Sequence, residues 1–232
     1  MLPLKDDQPR YSTPYLTGFL IVLNLLIYFF ESTLPTRSLN LFIRHYGVVP
    51  SHLAAFLQGS PRYPLQAVLF PFLTSMFLHG SWMHVIGNMW FLYIFGDNVE
   101  DYLGHFKFLV FYILTGLIAM VTQVLINVNS TLPTVGASGA IAGVLGAYFV
   151  LYPRARVLTW FFIFVLWVPA WIILGYWFAL QFLSGTASVL AMQGDMGGVA
   201  FWAHVGGFIA GALLVRVFGE RGLRSPYAVG RG

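Results

Sequence analysis

Apolar residues fall along this chain in six long stretches, most with few or no charges, separated by short polar or glycine- and proline-rich connections. They predict membrane-spanning helices over Tyr15 to Phe30, His79 to Phe95, Phe106 to Ile126, Ser138 to Leu151, Val157 to Leu183 and Gly198 to Phe218. A hydrocarbon layer about 30 Å thick calls for such runs, and a soluble core does not. The fifth stretch is rich in aromatics, with Pro169 and Gly175 as kink points. The first is followed by Glu31-Ser32-Thr33-Leu34-Pro35, not by a small-residue cleavage site, so it reads as a retained helix.

The connection from 31 to 78 is too apolar for a plain solvated loop. Its runs Leu39 to Ile43 and His52 to Leu57 predict short helices lying in the membrane interface. Residues 1–14 are polar and hold three prolines, which predicts a poorly ordered cytoplasmic tail. The Gly/Arg-rich stretch 219–232 predicts a second cytoplasmic tail, also disordered, leaving 15–218 as one helical domain.

Composition agrees: 58% of the 232 residues are hydrophobic and 9% are charged. Soluble domains carry about 25% charged residues, so the class is an all-α polytopic membrane protein with six transmembrane helices. The net charge of +4 is not a nucleic-acid patch, because its distribution follows the loops. Lys5, Arg10, Lys107, Arg154, Arg156, Arg216, Arg221, Arg224 and Arg231 share one side, against Arg37, Arg44 and Arg62 on the other, which puts both termini in the cytoplasm. The absence of cysteine excludes disulfides, thiol catalysis and cysteine metal sites. No H-E-x-x-H pair occurs, and His79 and His84, five apart, fit one helical face poorly, so neither a metal nor a cofactor is expected.

Polar residues inside spans are expensive and are functional candidates by default, an interhelical hydrogen bond being the bland alternative for each. Counted from the cytoplasmic ends at 1.5 Å per residue, His84 lies about 20 Å up, Ser138 about 22 Å and His204 about 18 Å, in one layer. Gly136-Ala137-Ser138-Gly139 opens the fourth stretch, and free N–H groups at a helix N-terminus could hold an oxyanion. An ordinary N-cap serine reads the same way. In the sixth stretch His204, Gly207 and Gly211 share a face. Ser138, Ala142 and Gly146 form one small-residue ladder on the fourth, with Gly139, Gly143 and Ala147 beside it. Small ladders let membrane helices approach closely; if these two faces pack, Ser138 meets His204 and its hydroxyl becomes a usable nucleophile. His84 and Asn88 share a face of the second stretch and could add oxyanion donors. With no carboxylate at this depth, the pair is a dyad; Tyr148 is the aromatic neighbour expected to hold His204, and Gln123 a polar group to hold water.

Taken together, these residues resemble the rhomboid family of intramembrane serine proteases. The resemblance lies in His79, His84 and Asn88 with Gly96, Glu100 and Gly104 after them, in Gly136-Ala137-Ser138-Gly139, and in Ala203-His204-Val205-Gly206-Gly207 with Gly211, across roughly 70 to 215. It implies a six-helix fold with a water-filled cavity open to the outer side. It also implies Ser138 as nucleophile, His204 as general base, and His84, Asn88 and the Ser138 N–H as oxyanion donors. The implied substrates are single-span membrane proteins whose helices unwind near the bilayer surface, with a small residue before the cut. The fifth helix and the loop from Ser184 to Gly197 would be gate and cap. A Trp-Arg pair common in the family's first long loop is absent, Pro61-Arg62-Tyr63 being at best a partial substitute. Two other functions compete: a catalytically silent client-binding relative, which would lack the serine or histidine, and a transporter relaying protons through His79, His84 and His204, which leaves the Gly136 to Gly139 segment unexplained. The compact form leans toward a prokaryotic inner membrane.

Overall fold

The computed structural model describes residues 1–190 and 199–219. The expected tail beyond 219, its three arginines, and residues 191–197 of the expected cap lie outside the described residues. Helix α1 (Tyr15–Thr33) enters under the carboxylate of Glu100, which accepts from the N–H groups of Leu16 (3.0 Å) and Thr17 (2.7 Å). Those are unpaired donors of a helix N-terminus, where the dipole also favours a negative charge. The apolar connection folds into α2 (Thr36–Tyr46), α3 (Pro50–Leu57) and α4 (Leu65–Thr74), the last running into a short 3-10 turn at Ser75–Phe77. Helices α5 (Trp82–Leu103), α6 (His105–Ile126), α7 (Ser138–Leu151), α8 (Ala170–Leu190) and α9 (Phe201–Phe218) complete the described helices.

At the centre stands α7, with every residue from Gly139 to Tyr148 buried and α5, α6 and α9 packed around it. Its 14 residues cover about 21 Å, short for a lipid-facing span, but its neighbours enclose it. Among the described helices, α1, α6, α8 and α9 are long and apolar enough to cross a membrane. Their outer faces carry exposed Phe19, Val22, Leu26, Ile118, Val121 and Leu213, apolar surface that a lipid environment covers. The chain is thus a mostly helical integral membrane protein.

Two expectations need correcting. The stretch from Val157 to Leu183 is not one helix: its first part is a hairpin of β2 (Arg156–Phe161) and β3 (Phe164–Pro169), and α8 starts at Ala170. The cause is local. Val, Thr, Trp and Phe favour a pleated backbone, and Pro169 disfavours a helical residue before it. The turn pairs Phe161 with Phe164 and holds Phe162 at φ 54, an uncommon conformation for a bulky residue. Residues 1–14 are likewise not a loose tail, because β1 (Leu2–Asp6) pairs antiparallel with β2. The order β1-β2-β3 is secured by Trp90 Nε1 donating to Pro3 O (2.7 Å) and by Arg156 N donating to Asp7 Oδ1 (2.8 Å).

Candidate active site

Gly136, two residues before α7, sets the entrance of the site. Its φ of 131° lies where side-chain-bearing residues rarely go, and its N–H donates to Ser75 O at 2.8 Å. A Cβ there would also stand 2.9 Å from both Cε1 and Nε2 of His84, and 3.5 Å from Ser138 Oγ. A glycine at 136 therefore leaves room for the His84 ring beside the Ser138 hydroxyl. Ser138 itself occupies the first turn of α7, where backbone N–H groups lack helical partners.

The second half of the site comes from α9. Gly207 lies over the carbonyl of Gly139, Gly211 over that of Gly143, and Gly146 of α7 over that of Phe208. Added Cβ atoms would stand 2.1, 1.9 and 2.0 Å from those oxygens, so the backbones of α7 and α9 touch directly. One turn before Gly207, this contact brings His204 Nε2 to 2.8 Å from Ser138 Oγ.

The second stretch's residues divide into two sets. His84 stands against Gly136, and Gly80 N lies 3.5 Å from its Nδ1. Asn88 Nδ2 is instead 3.0 Å from His79 Nε2, and His79 in turn donates its backbone N–H to the buried Glu31 at 3.1 Å. Tyr28 stacks edge-on against both His79 and Trp82. Glu31 and His79 thus form a buried layer behind Asn88.

Tyr148 does not hold His204. Its hydroxyl donates to Asp6, tying α7 to β1. What touches His204 is α8: Gln181 Oε1 is 2.8 Å from His204 Nδ1, and the Trp177 ring packs against the imidazole, tilted by 37° with centroids 5.7 Å apart. Sequence reading missed both residues. The available signal was a lone glutamine inside an apolar helix, one turn after a tryptophan.

Beside His84 a cavity of ≈ 120 Å³ is lined by Gln123, Asn127, Ser130, Thr134 and Trp202, room for a few waters among polar partners. Gln123 Oε1 also accepts from Ala203 N (3.2 Å), the residue before His204. No group of His, Asp or Glu able to hold a metal occurs among the described residues. The arrangement offers an alcohol within hydrogen-bond distance of an imidazole, the N–H groups of a helix N-terminus beside it, and space for water. Acyl transfer is the chemistry such a set can perform.

A rhomboid domain model matches residues 66–221. The chain is 39% identical over 74 residues to Rhomboid-like protein 11, chloroplastic, of Arabidopsis thaliana, covering 32% of this chain and 26% of that one. It is 33% identical over 144 residues to Rhomboid protein 1, mitochondrial, of Saccharomyces cerevisiae, covering 60% and 39%. It is 32% identical over 120 residues to the Presenilin-associated rhomboid-like protein, mitochondrial, of Bos taurus, covering 50% and 32%. The matched part is thus between about a quarter and two fifths of each relative's length. Their names place these relatives in chloroplasts and mitochondria, which lends no support to the prokaryotic inner membrane expected from the sequence.

Proposed function

The chain belongs to the rhomboid family, and from that premise we propose that it is an intramembrane serine endopeptidase acting on single-span membrane proteins. The observation that carries this reading is the 2.8 Å contact of Ser138 Oγ with His204 Nε2, reached from two helices through their touching glycines. Helices α5 and α7 join α1, α6, α8 and α9 as a six-span bundle, both termini on the cytoplasmic side.

A substrate helix reaches the site between α5 and α8 and its backbone extends, because a helix hides its carbonyls in its own hydrogen bonds. Ser138 Oγ attacks the scissile carbonyl carbon while His204 Nε2 takes the hydroxyl proton. The negative oxygen is met by the Ser138 N–H and by His84, with Asn88 as a further donor once its amide turns from His79. The imidazolium then returns its proton to the leaving amine, and a water from the cavity beside Gln123 releases the acyl group by the same steps in reverse. Helix-weakening residues and a small residue before the cut decide which protein is cleaved.

Reaction with a serine-directed phosphonate tests this reading. Mass spectrometry is expected to find the adduct on Ser138, with labelling abolished in His204→Ala. An adduct formed equally well without His204 contradicts the assignment of the base.

A further inference from the structure

We infer that Gln181 is a positioning residue, the third member of a Ser138–His204–Gln181 relay in which a neutral amide does the orienting. The inference rests on the protease reading above and extends it to the helix that carries substrate access. Its basis is the pair of contacts on one ring: Gln181 Oε1 at 2.8 Å from Nδ1 and Ser138 Oγ at 2.8 Å from Nε2.

An amide oxygen can only accept, so the proton of a neutral His204 must sit on Nδ1. Nε2 is then left with its lone pair toward the Ser138 hydroxyl, the one tautomer in which the imidazole can serve as base. The same bond stops rotation about the Cβ–Cγ axis, and the Trp177 ring restricts the other direction of movement. Trp177 and Gln181 are four residues apart on α8 and so lie on one face. Among the described residues, the other titratable side chain toward this ring is His84. No acidic side chain bonds to His204 there, and the amide dipole takes the orienting place that an aspartate holds in a triad.

The placement has a mechanical consequence. Of the four long apolar helices, α8 is the least enclosed, with 17% of its most apolar stretch buried against 44% for α9. It is held to α9 near its C-terminal end, where Trp202 Nε1 donates to Gly185 O (3.2 Å), one turn beyond Gln181. The base is therefore oriented only while α8 is docked, and any opening of α8 for a substrate must be reversed before Ser138 is activated.

The test compares Gln181→Met, close in shape but without the acceptor, with Gln181→Glu, which keeps an oxygen at the same place and adds a charge. Full-length protein in proteoliposomes is assayed for cleavage of a tagged single-span substrate and for phosphonate labelling. Gln181→Met is expected to lose roughly 10- to 100-fold in kcat with KM within about twofold, and to be labelled correspondingly slowly, an effect smaller than loss of a charged triad member. Gln181→Glu is expected to recover most of the rate. A purely packing role predicts the opposite order, Met tolerated and a buried Glu harmful, and that result overturns the inference. Melting of both variants at the temperature of the unmutated protein excludes misfolding as the cause. Unmutated protein that neither cleaves nor is labelled at Ser138 brings down the protease reading itself, a result distinct from any difference between the variants.

Discussion

Gly207 of α9 stands against the carbonyl of Gly139 of α7, so close that a Cβ on it would lie 2.1 Å from the oxygen. The neighbour is backbone and has no rotamer to yield. This contact fixes how far His204, one turn earlier, stands from Ser138. Gly207→Ala should therefore push the helices apart, costing about 1–3 kcal/mol or more by overpacking and at least about tenfold in cleavage rate, since an ångström of misplacement is expensive in catalysis. Melting in detergent and cleavage of a tagged substrate check both. A silent substitution would mean that the backbone contact does not set the site.

His84 and Asn88 should part company on mutation. The His84 ring flanks Gly136, near which the Ser138 hydroxyl also lies, whereas the Asn88 amide is taken up by His79. Removing one committed oxyanion donor costs about 10²–10³ in kcat. His84→Ala is expected in that range and Asn88→Ala nearer about tenfold, read as kcat on one substrate. The reverse order would show that the two exchange places when substrate binds.

The three-stranded sheet should loosen as pH rises. Burial pushes the Asp6 carboxyl from 3.8 up to about 6; the hydroxyl of Tyr148 lowers it, and Asp97 and Asp7 raise it. A folded-state value above the unfolded one means the folded chain holds the proton more tightly. That stabilisation is complete below the unfolded value of 3.8 and is lost as pH climbs to about 6. Asp6→Asn should flatten the fall in melting temperature over that window and stabilise the protein at about pH 7.5, by about 1 kcal/mol after allowing for solvent screening. An unchanged pH profile would place the titrating group elsewhere.

Glu100 should matter for folding and little for chemistry. Its buried carboxylate accepts from Leu16 and Thr17 and lies 2.5 Å from His105 Nδ1. Glu100→Gln is expected to cost about 2 kcal/mol, the usual worth of hydrogen bonds to a charged group, with kcat nearly unchanged in the surviving folded protein. A large kcat loss without destabilisation would contradict this division.

The parts of the site legible in the sequence are those written in small residues. The ladders through Gly139, Gly143, Gly207 and Gly211 could be read because close helix contact leaves a fixed spacing. The hairpin from Arg156 to Pro169 stayed hidden because its residues are nearly all apolar, and an apolar strand and an apolar helix share the same hydropathy. Strand β1 was illegible for another reason: its partner is about 150 residues away, and nothing local announces that pairing. Gln181 was visible as a polar residue inside a span, but only the position of α8 against α9 gives it a partner.

The most direct test is cleavage by purified protein reconstituted with a tagged single-span substrate, beside Ser138→Ala and His204→Ala. The unmutated chain is expected to cut with or without EDTA, and both variants to be inactive. Cleavage that persists in Ser138→Ala would contradict the account.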